Sequence, residues 1–289
     1  MSSEAVGASA GALGTPGGTP GVAGPRQAVV LAGRRSGEDP LAEAAGAVHR
    51  ALLEIEGEPM LLRVVRFLLT RSSLERVLVN IDRPDLVEAL PGWAPLVASG
   101  RVALLQSTDS PSRSVLESLD AAGLEHAPVL VTTADHALLD DAMLDAFFAG
   151  CEDGTDLCLG LVPSATIRAR FPEAKRTYLP FRDERYSGAN LFYFRTPASR
   201  AAAEFWQRVE NDRKQPWKLA RAFGLVNLAL FVTRRLDLAG AMNRASRVVG
   251  AKVHAVALPI AEAAVDVDKL EDLMLVREIL EQRRLEAER

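Results

Sequence analysis

The sequence predicts an α/β domain with a mostly parallel sheet flanked by helices, and two observations carry that prediction. Short apolar runs alternate with helix-length patterned segments, the signature of right-handed β-α-β units. Two of those runs end in residues suited to binding, Gly33 and Asp135, and ligands of open parallel sheets gather outside the strand carboxyl ends.

The first run, Ala28-Val29-Val30-Leu31-Ala32, is continuous and apolar and stops at Gly33, as a strand buried on both faces does. A helical pattern over 60–71 leads to a strand at 76–81, and a short helix after Pro84 leads to a strand at 102–106. A helix over 114–123 follows, then a strand at 128–133. Strands at 156–162 and 189–194 enclose a polar stretch, and 197–211 reads as a helix. Helices over 216–235 and 238–249, a last strand at 253–258 and a charged helix over 270–287 complete the chain.

Composition narrows the function classes. The 289 residues are 48% hydrophobic and 25% charged, so the chain can bury a core without staples. Net charge is −4, against a general nucleic-acid binder held on by phosphate contacts. Cys151 and Cys158 form neither a disulfide framework nor a zinc pattern, and the expected compartment is the reducing cytoplasm. No apolar run is long enough to span a membrane, and no charged segment followed by an apolar run marks a secretory signal. Residues 1–26 hold seven of the 21 glycines but only Glu4 and Arg26 as charges; too little apolar surface is available to offset chain entropy, so this segment is expected to be a disordered tail. The domain proper is expected over 27–289.

Within it, 208–252 stands apart. Ten Lys/Arg face only Glu210, Asp212 and Asp237, a net +7 in a chain of −4, and the run from Trp217 to Val232 is strongly apolar. Such a helical stretch suits a buried helix with solvated basic ends, a peripheral contact with an anionic membrane surface, or a grip on an anionic substrate.

Four elements carry candidate chemistry. The loop Leu31-Ala32-Gly33-Arg34-Arg35 ends a strand and can offer backbone amides and arginines to phosphates, although it is neither a dinucleotide fingerprint nor a P-loop; a plain surface loop is the alternative. Asp135 follows the strand 128–133, where a carboxylate suits Mg²⁺ or caps a turn. Asp266 and Asp268, two apart on an extended segment, share one side and suit a metal; alternatively Asp268 caps the last helix with Glu271 completing a capping box. The loop Ser110-Pro111-Ser112-Arg113-Ser114 offers hydroxyls and amides to a nucleotide, or caps a helix. No Ser-His-Asp or zinc-protease arrangement accompanies them, and His136 reads as structural.

In this order the four elements resemble the nucleotidyltransferases of GT-A-type fold, and within them the molybdenum-cofactor guanylyltransferase-like NTP transferases and the cytidylyltransferases. The resemblance covers residues 27–275. It implies a Rossmann-like mixed sheet, and it aligns Leu31-Ala32-Gly33-Arg34-Arg35 with the family's NTP-phosphate loop, here one residue shorter. Arg50, ahead of Ala51-Leu52, Gly57, Pro59 and Met60, stands where the family has a lysine, and a guanidinium does not sit as an ammonium does. Asp135 aligns with the metal-binding Asp, and Asp266 or Asp268 with the second, ahead of Lys269-Leu270-Glu271-Asp272-Leu273.

By the same resemblance, catalysis falls to Arg50, Arg34 and Asp135. Nucleotide binding falls to Leu31, Ala32, Gly33, Arg34, Arg35, Arg50, Ser112, Arg113 and Ser114. Mg²⁺ would sit on Asp135 with Asp266 or Asp268, and Asn190 would line the acceptor side; the basic run ahead of it, Arg168, Arg170, Lys175, Arg176 and Arg182, offers Arg176 and Arg182 to the acceptor. The partners implied are an NTP, with CTP or GTP favoured, and a phosphorylated small molecule or lipid headgroup. The 208–252 stretch is not part of the family's common core. Two other readings remain: a GT-A-type glycosyltransferase using an NDP-sugar, and a nucleotide-binding relative without turnover.

Overall fold

The computed structural model describes residues 24–33, 39–174, 176–210 and 224–288. Most of the tail, the loop residues Arg34 and Arg35, Lys175, and 211–223 with Trp217 lie outside the described residues. Arg26, assigned to the tail from composition, instead docks on the body through an ion pair with Glu75.

The sheet is mixed, as the resemblance implied. Its strands are β1 (Gln27–Leu31), β4 (Arg76–Ile81), β5 (Val102–Gln106), β6 (Val129–Thr133), β7 (Leu157–Pro163), β9 (Arg185–Phe194) and β10 (Val253–Ala257), in the order β10-β7-β9-β6-β1-β4-β5. A short β8 (Leu179–Pro180) pairs with β9, and β2 (Glu54–Ile55) and β3 (Glu58–Pro59) form a separate hairpin. β5, β4, β1 and β6 run parallel, as do β7 and β10, while β9 runs antiparallel between β6 and β7.

Alternation splits the core. Ala28 and Val30 face one side of the sheet, where α2 (Met60–Thr70), α6 (Asp141–Ala149) and α11 (Leu270–Ala287) supply Leu61, Val65, Phe147, Val276 and Ile279. Val29 faces the other side, against Leu116 and Leu119 of α5 (Pro111–Ala121) and Ala203 of α8 (Arg200–Val209). Because both faces are covered, β1 is buried at three successive residues, which is why its sequence shows no alternation.

The expected bounds of β4, β5 and the helix at 270–287 are those observed. Elsewhere local chemistry shifts them. α5 starts at Pro111, not 114, because Ser110 accepts the Arg113 amide and Pro111 sits at the first helical position. The expected strand at 189–194 begins at Arg185, its added residues pairing with β7 and β8. Four short helices not expected from the sequence are α1 (Pro40–Ala44), α4 (Trp93–Ala98), α6 and α7 (Ser164–Arg170), next to the expected α3 (Pro84–Glu88). Within the basic stretch, α9 (Leu225–Val232) is shorter than the helix expected over 216–235, and α10 (Leu238–Val249) has the expected bounds. Leu238, Ala241 and Met242 of α10 pack on Phe181, Tyr186 and Ala255, so this part of the stretch covers the β7–β10 side of the sheet.

Phe147 is fully buried and stacks at a tilt on Phe148, with ring centroids 5.7 Å apart. Phe147→Ala should cost about 3–5 kcal/mol of stability through the cavity it leaves. Urea unfolding of the two proteins measures this directly.

Candidate functional site

The site follows from register. Leu31 of β1 lies level with Asn80 of β4 and with Thr133 of β6, so three parallel strands end on one line. Two backbone bonds lace that edge: the Ala32 amide donates to Asn80 O at 2.8 Å, and the Ala134 amide to Leu31 O at 2.9 Å. Gly33 follows at once. A Cβ there would lie 2.5 Å from Ser107 Oγ, so any side chain at 33 would drive that hydroxyl off Asn80 in the β5–α5 turn.

Asp135 sits two residues past β6, its carboxylate accepting from the Thr133 hydroxyl. Its carbonyl accepts the Val267 amide at 3.1 Å, which brings the 265–268 segment to the end of β6. Val267 is fully buried, so Asp266 and Asp268 turn to the opposite side together, as their spacing predicted. Asp135 thus lies within electrostatic reach of both. Its carboxyl is pushed up to about 6, first by burial, with repulsion from Asp266 and Asp268 adding and the Thr133 hydroxyl and Arg50 opposing. The Asp266 carboxyl is raised as well, by burial and then by Asp268, with Arg176 opposing.

Arginines compensate the three carboxylates. Arg50 opens a 3₁₀ turn, Arg50–Leu52, and pairs with the buried Asp39 through Nε at 3.2 Å and with Asp268 through Nη1 at 2.8 Å. The buried His49 precedes it: Nδ1 accepts the Ala51 amide at 3.1 Å, which leaves Nε2 to donate to Asp82 at 2.9 Å. Arg176, nearly buried, spans Asp266 and Asp272 at 2.9 Å each. The Asn190 amide donates to Asp266 at 3.5 Å from a backbone with φ of 49°.

Leu31, Ala32, Gly33, Arg50, Asp135, Asp266, Asp268, Arg176 and Asn190 are therefore gathered at the carboxyl edge, with Arg176 and Asn190 both holding Asp266. Arg34 and Arg35 lie outside the described residues. Arg182 lies apart from these contacts, in the β8–β9 turn, where it pairs with Asp237 at the start of α10. Ser112 and Ser114, expected in a loop, are buried in the first turn of α5 with their hydroxyls engaged by Glu210 and by the Thr108 amide; Arg113 between them is exposed. The capping expectation for the last helix is corrected: Asp272, not Asp268 with Glu271, accepts the amides of Asp268 and Lys269, at 3.2 and 3.0 Å. This frees the Asp268 side chain for Arg50. His136 is structural as expected, buried and held neutral, with its pKa lowered by burial to about 4.

Sequence reasoning missed Asn80, His49 and Glu210. Asn80 had a signal, an amide inside the apolar run Val77-Leu78-Val79-Asn80-Ile81. It is buried, its Oδ1 accepts from Ser107 Oγ at 2.5 Å, and its Nδ2 has no partner among the described residues. His49 and Glu210 act through residues distant in sequence and had none.

No three His, Cys, Asp or Glu side chains among the described residues are arranged as a metal cage. The donor set nonetheless suits a hard cation held jointly with a substrate, since Mg²⁺ takes one or two carboxylates plus phosphate oxygens.

A doubly covered sheet with carboxylates and arginines at its carboxyl edge defines an α/β protein whose ligand site lies at that edge. The sequence matches the MobA-like NTP transferase domain over residues 28–216, and the chain belongs to that nucleotidyltransferase family, with its GT-A-type fold. A hypothetical transferase from Thermus thermophilus is 31% identical, with a TM-score of 0.68 over 86% of this chain and 99% of that one. Two solved structures share the fold at lower identity. CMP:2-keto-3-deoxy-manno-octonic acid synthetase complexed with CTP is 14% identical, with a TM-score of 0.54 over 89% of this chain and 99% of that one. The 4-diphosphocytidyl-2C-methyl-D-erythritol synthase from Anaerococcus prevotii is 11% identical, with a TM-score of 0.51 over 88% and 97%. No curated protein matches the sequence.

The raised Asp135 carboxyl has a stability consequence. Well below its ordinary value of 3.8 it is protonated in folded and unfolded chains alike; as pH rises from there the unfolded chain ionises first, and stability is lost until pH passes about 6, where the folded state ionises too. Asp135→Asn should therefore be more stable than wild type at pH 7.5, by about 1–3 kcal/mol without metal, and gain almost nothing at pH 3. Urea midpoints at the two pH values test this, and an equal gain at both would refute it.

Proposed function

We propose that the protein transfers a nucleoside monophosphate group from an NTP, CTP or GTP, to a phosphorylated acceptor, releasing pyrophosphate in a Mg²⁺-dependent reaction. The observation that carries the reading is the convergence of the Gly33 turn with Asp135, Asp266 and Asp268 at one edge of the sheet. An acceptor phosphate oxygen attacks the α-phosphorus, the bond from that phosphorus to the bridging oxygen breaks, and pyrophosphate leaves. A phosphate monoester is already largely ionised at pH 7, with a second pKa of about 6, so no side-chain base is required. The chemistry rests on positioning and charge neutralisation.

In this reading the backbone of Leu31, Ala32 and Gly33 lies along the triphosphate, with Arg34 and Arg35 continuing that loop. Asn80 Nδ2, buried and without a partner among the described residues, is a donor waiting for the nucleoside. Asp135, with Asp266 or Asp268, would hold Mg²⁺, which supplies positive charge at the α-phosphate. Arg50 already neutralises Asp268 and Asp39, and we assign it to the leaving pyrophosphate as well. Arg176 and Asn190 hold Asp266 and face the acceptor side, while the exposed Arg182 of the β8–β9 turn and Arg185 at the start of β9 lie beyond it.

A phosphate acceptor at a lipid headgroup fits one further feature. In α9, Val226 and Val232 are 68% and 69% exposed and Ala229 between them is exposed, followed by Arg234 and Arg235. That pairing of apolar face and cations suits peripheral contact with an anionic membrane. Among the described residues no helix is long and apolar enough to cross one. The NDP-sugar alternative finds less support, because the chain's D-x-D, Asp266 to Asp268, lies near the C-terminus rather than mid-chain.

Thermal shifts with ATP, CTP, GTP and UTP, each with and without Mg²⁺, test the reading. A nucleotide at 100-fold its Kd should add about 2.7 kcal/mol, more with Mg²⁺ than without. Asp135→Asn should keep the metal-free shift and lose the Mg²⁺ increment, and Asp135→Ala should release no pyrophosphate once the acceptor is found. A shift with NDP-sugars alone would replace this reading by the glycosyltransferase.

A further inference from the structure

α8 lies antiparallel along α5, and the pair is pinned at both ends. At the C-terminal end of α5, Asp120 pairs with Arg200. At its N-terminal end, Glu210, the residue that follows α8, places one carboxylate oxygen on three donors. Oε2 accepts from Ser110 Oγ at 2.9 Å, from the Ser112 amide at 3.2 Å and from the Ser112 hydroxyl. An anion there complements the free amides and the positive end of the helix.

The helix does not need this carboxylate for its cap. Ser110 Oγ already accepts the Arg113 amide at 3.1 Å, the ordinary capping bond. What Glu210 adds is a long-range anchor on the turn between β5 and α5. From that anchor the turn's hydrogen bonds reach Thr108, and the peptide link to its neighbour Ser107 carries the connection on to the nucleotide edge. The Thr108 hydroxyl donates to Ser110 O at 2.8 Å, and the Thr108 amide to Ser114 Oγ at 2.8 Å. The next residue, Ser107, donates through its hydroxyl to Asn80 Oδ1 at 2.5 Å and through its amide to Ile81 O at 2.9 Å. The same Ser107 hydroxyl stands where a side chain at Gly33 would have to be.

We propose that Glu210 is a positioning residue of the nucleotide site. From the end of α8 it clamps the 107–112 turn, and through Ser107 it sets where the Asn80 amide and the Gly33 backbone stand toward a bound nucleoside triphosphate. The proposal rests on reading this edge as the NTP site. It also gives the hydroxyls of the half-buried Ser110 and the buried Ser112 a part in nucleotide binding without direct contact: they are the clamp's grips.

The test compares E210Q with D120N, which releases the opposite end of the same helix pair. Calorimetric titration with CTP and with GTP, both with Mg²⁺, gives the Kd of each protein, and amide hydrogen exchange follows residues 107–114. Loss of the charge-assisted bonds should raise the Kd of E210Q for the nucleotide that wild type prefers by about tenfold, and should speed exchange in the turn. D120N should keep the wild-type Kd. An unchanged Kd in E210Q, or an equal rise in D120N, would overturn the clamp, the second outcome because it would reduce Glu210 to general helix packing. If E210Q does not fold, Ser112→Ala removes one grip without stranding a charge; a raised Kd supports the clamp and a wild-type Kd overturns it. Wild-type protein that binds no triphosphate would instead overturn the reading of the site, and the clamp's role with it.

Discussion

The structure depends on one constraint, the level ending of β1, β4 and β6. Because Leu31, Asn80 and Thr133 are in register, the chain leaves all three strands at one height, and the bonds from Ala32 to Asn80 and from Ala134 to Leu31 keep it there. Past that line backbone amides no longer have ladder partners. The glycine turn and Asp135 occupy the few residues in which the chain is still rigidly held but free of the sheet, and Asn80 lies beside them near the end of β4. Precision at the site is inherited from the covered strands beneath it.

Three carboxylates within mutual reach are costly, and much of the surrounding architecture offsets that cost. Arg50 and Arg176 come from opposite sides, one from the 3₁₀ turn after the first loop and one from the stretch before β8, and each joins one Asp of the C-terminal pair. Asp135 between them has a hydroxyl but, among the described residues, no arginine bonded to it, and it is the carboxyl driven up to about 6. An isolated carboxylate of this kind gains most from a cation arriving with a ligand. The residual strain and the proposed metal dependence share one electrostatic origin.

The opposite face of the sheet contributes differently. α5 and α8 hold no member of the carboxylate group, yet the turn that starts α5 fills the space at Gly33 and buttresses Asn80. The two faces thus divide the labour, charge on one and shape on the other. Departure of Arg50 from the family's lysine fits this division. A guanidinium can hold Asp39 and Asp268 at once through separate nitrogens, which an ammonium on a single stem does less readily.

The sequence by itself determined the α/β class, the strands at 76–81 and 102–106, the last helix, and the places along the chain where chemistry gathers. These follow from apolar periodicity and from polar residues at strand ends, both local in sequence. The family resemblance added the mixed sheet, because nothing in the pattern of β9 marks it as antiparallel. Helix α6 was missed because Asp141–Ala149 is apolar around most of its circumference and shows little periodicity, and α5 was begun late because its cap lay in a serine cluster that also suited a loop. Only tertiary structure decided which aspartate caps the last helix, that Arg176 and Asn190 converge on Asp266, and that Glu210 reaches Ser112 across 98 residues. Those contacts join segments far apart in the chain, and side chains meet there only after the sheet has fixed the order of its strands.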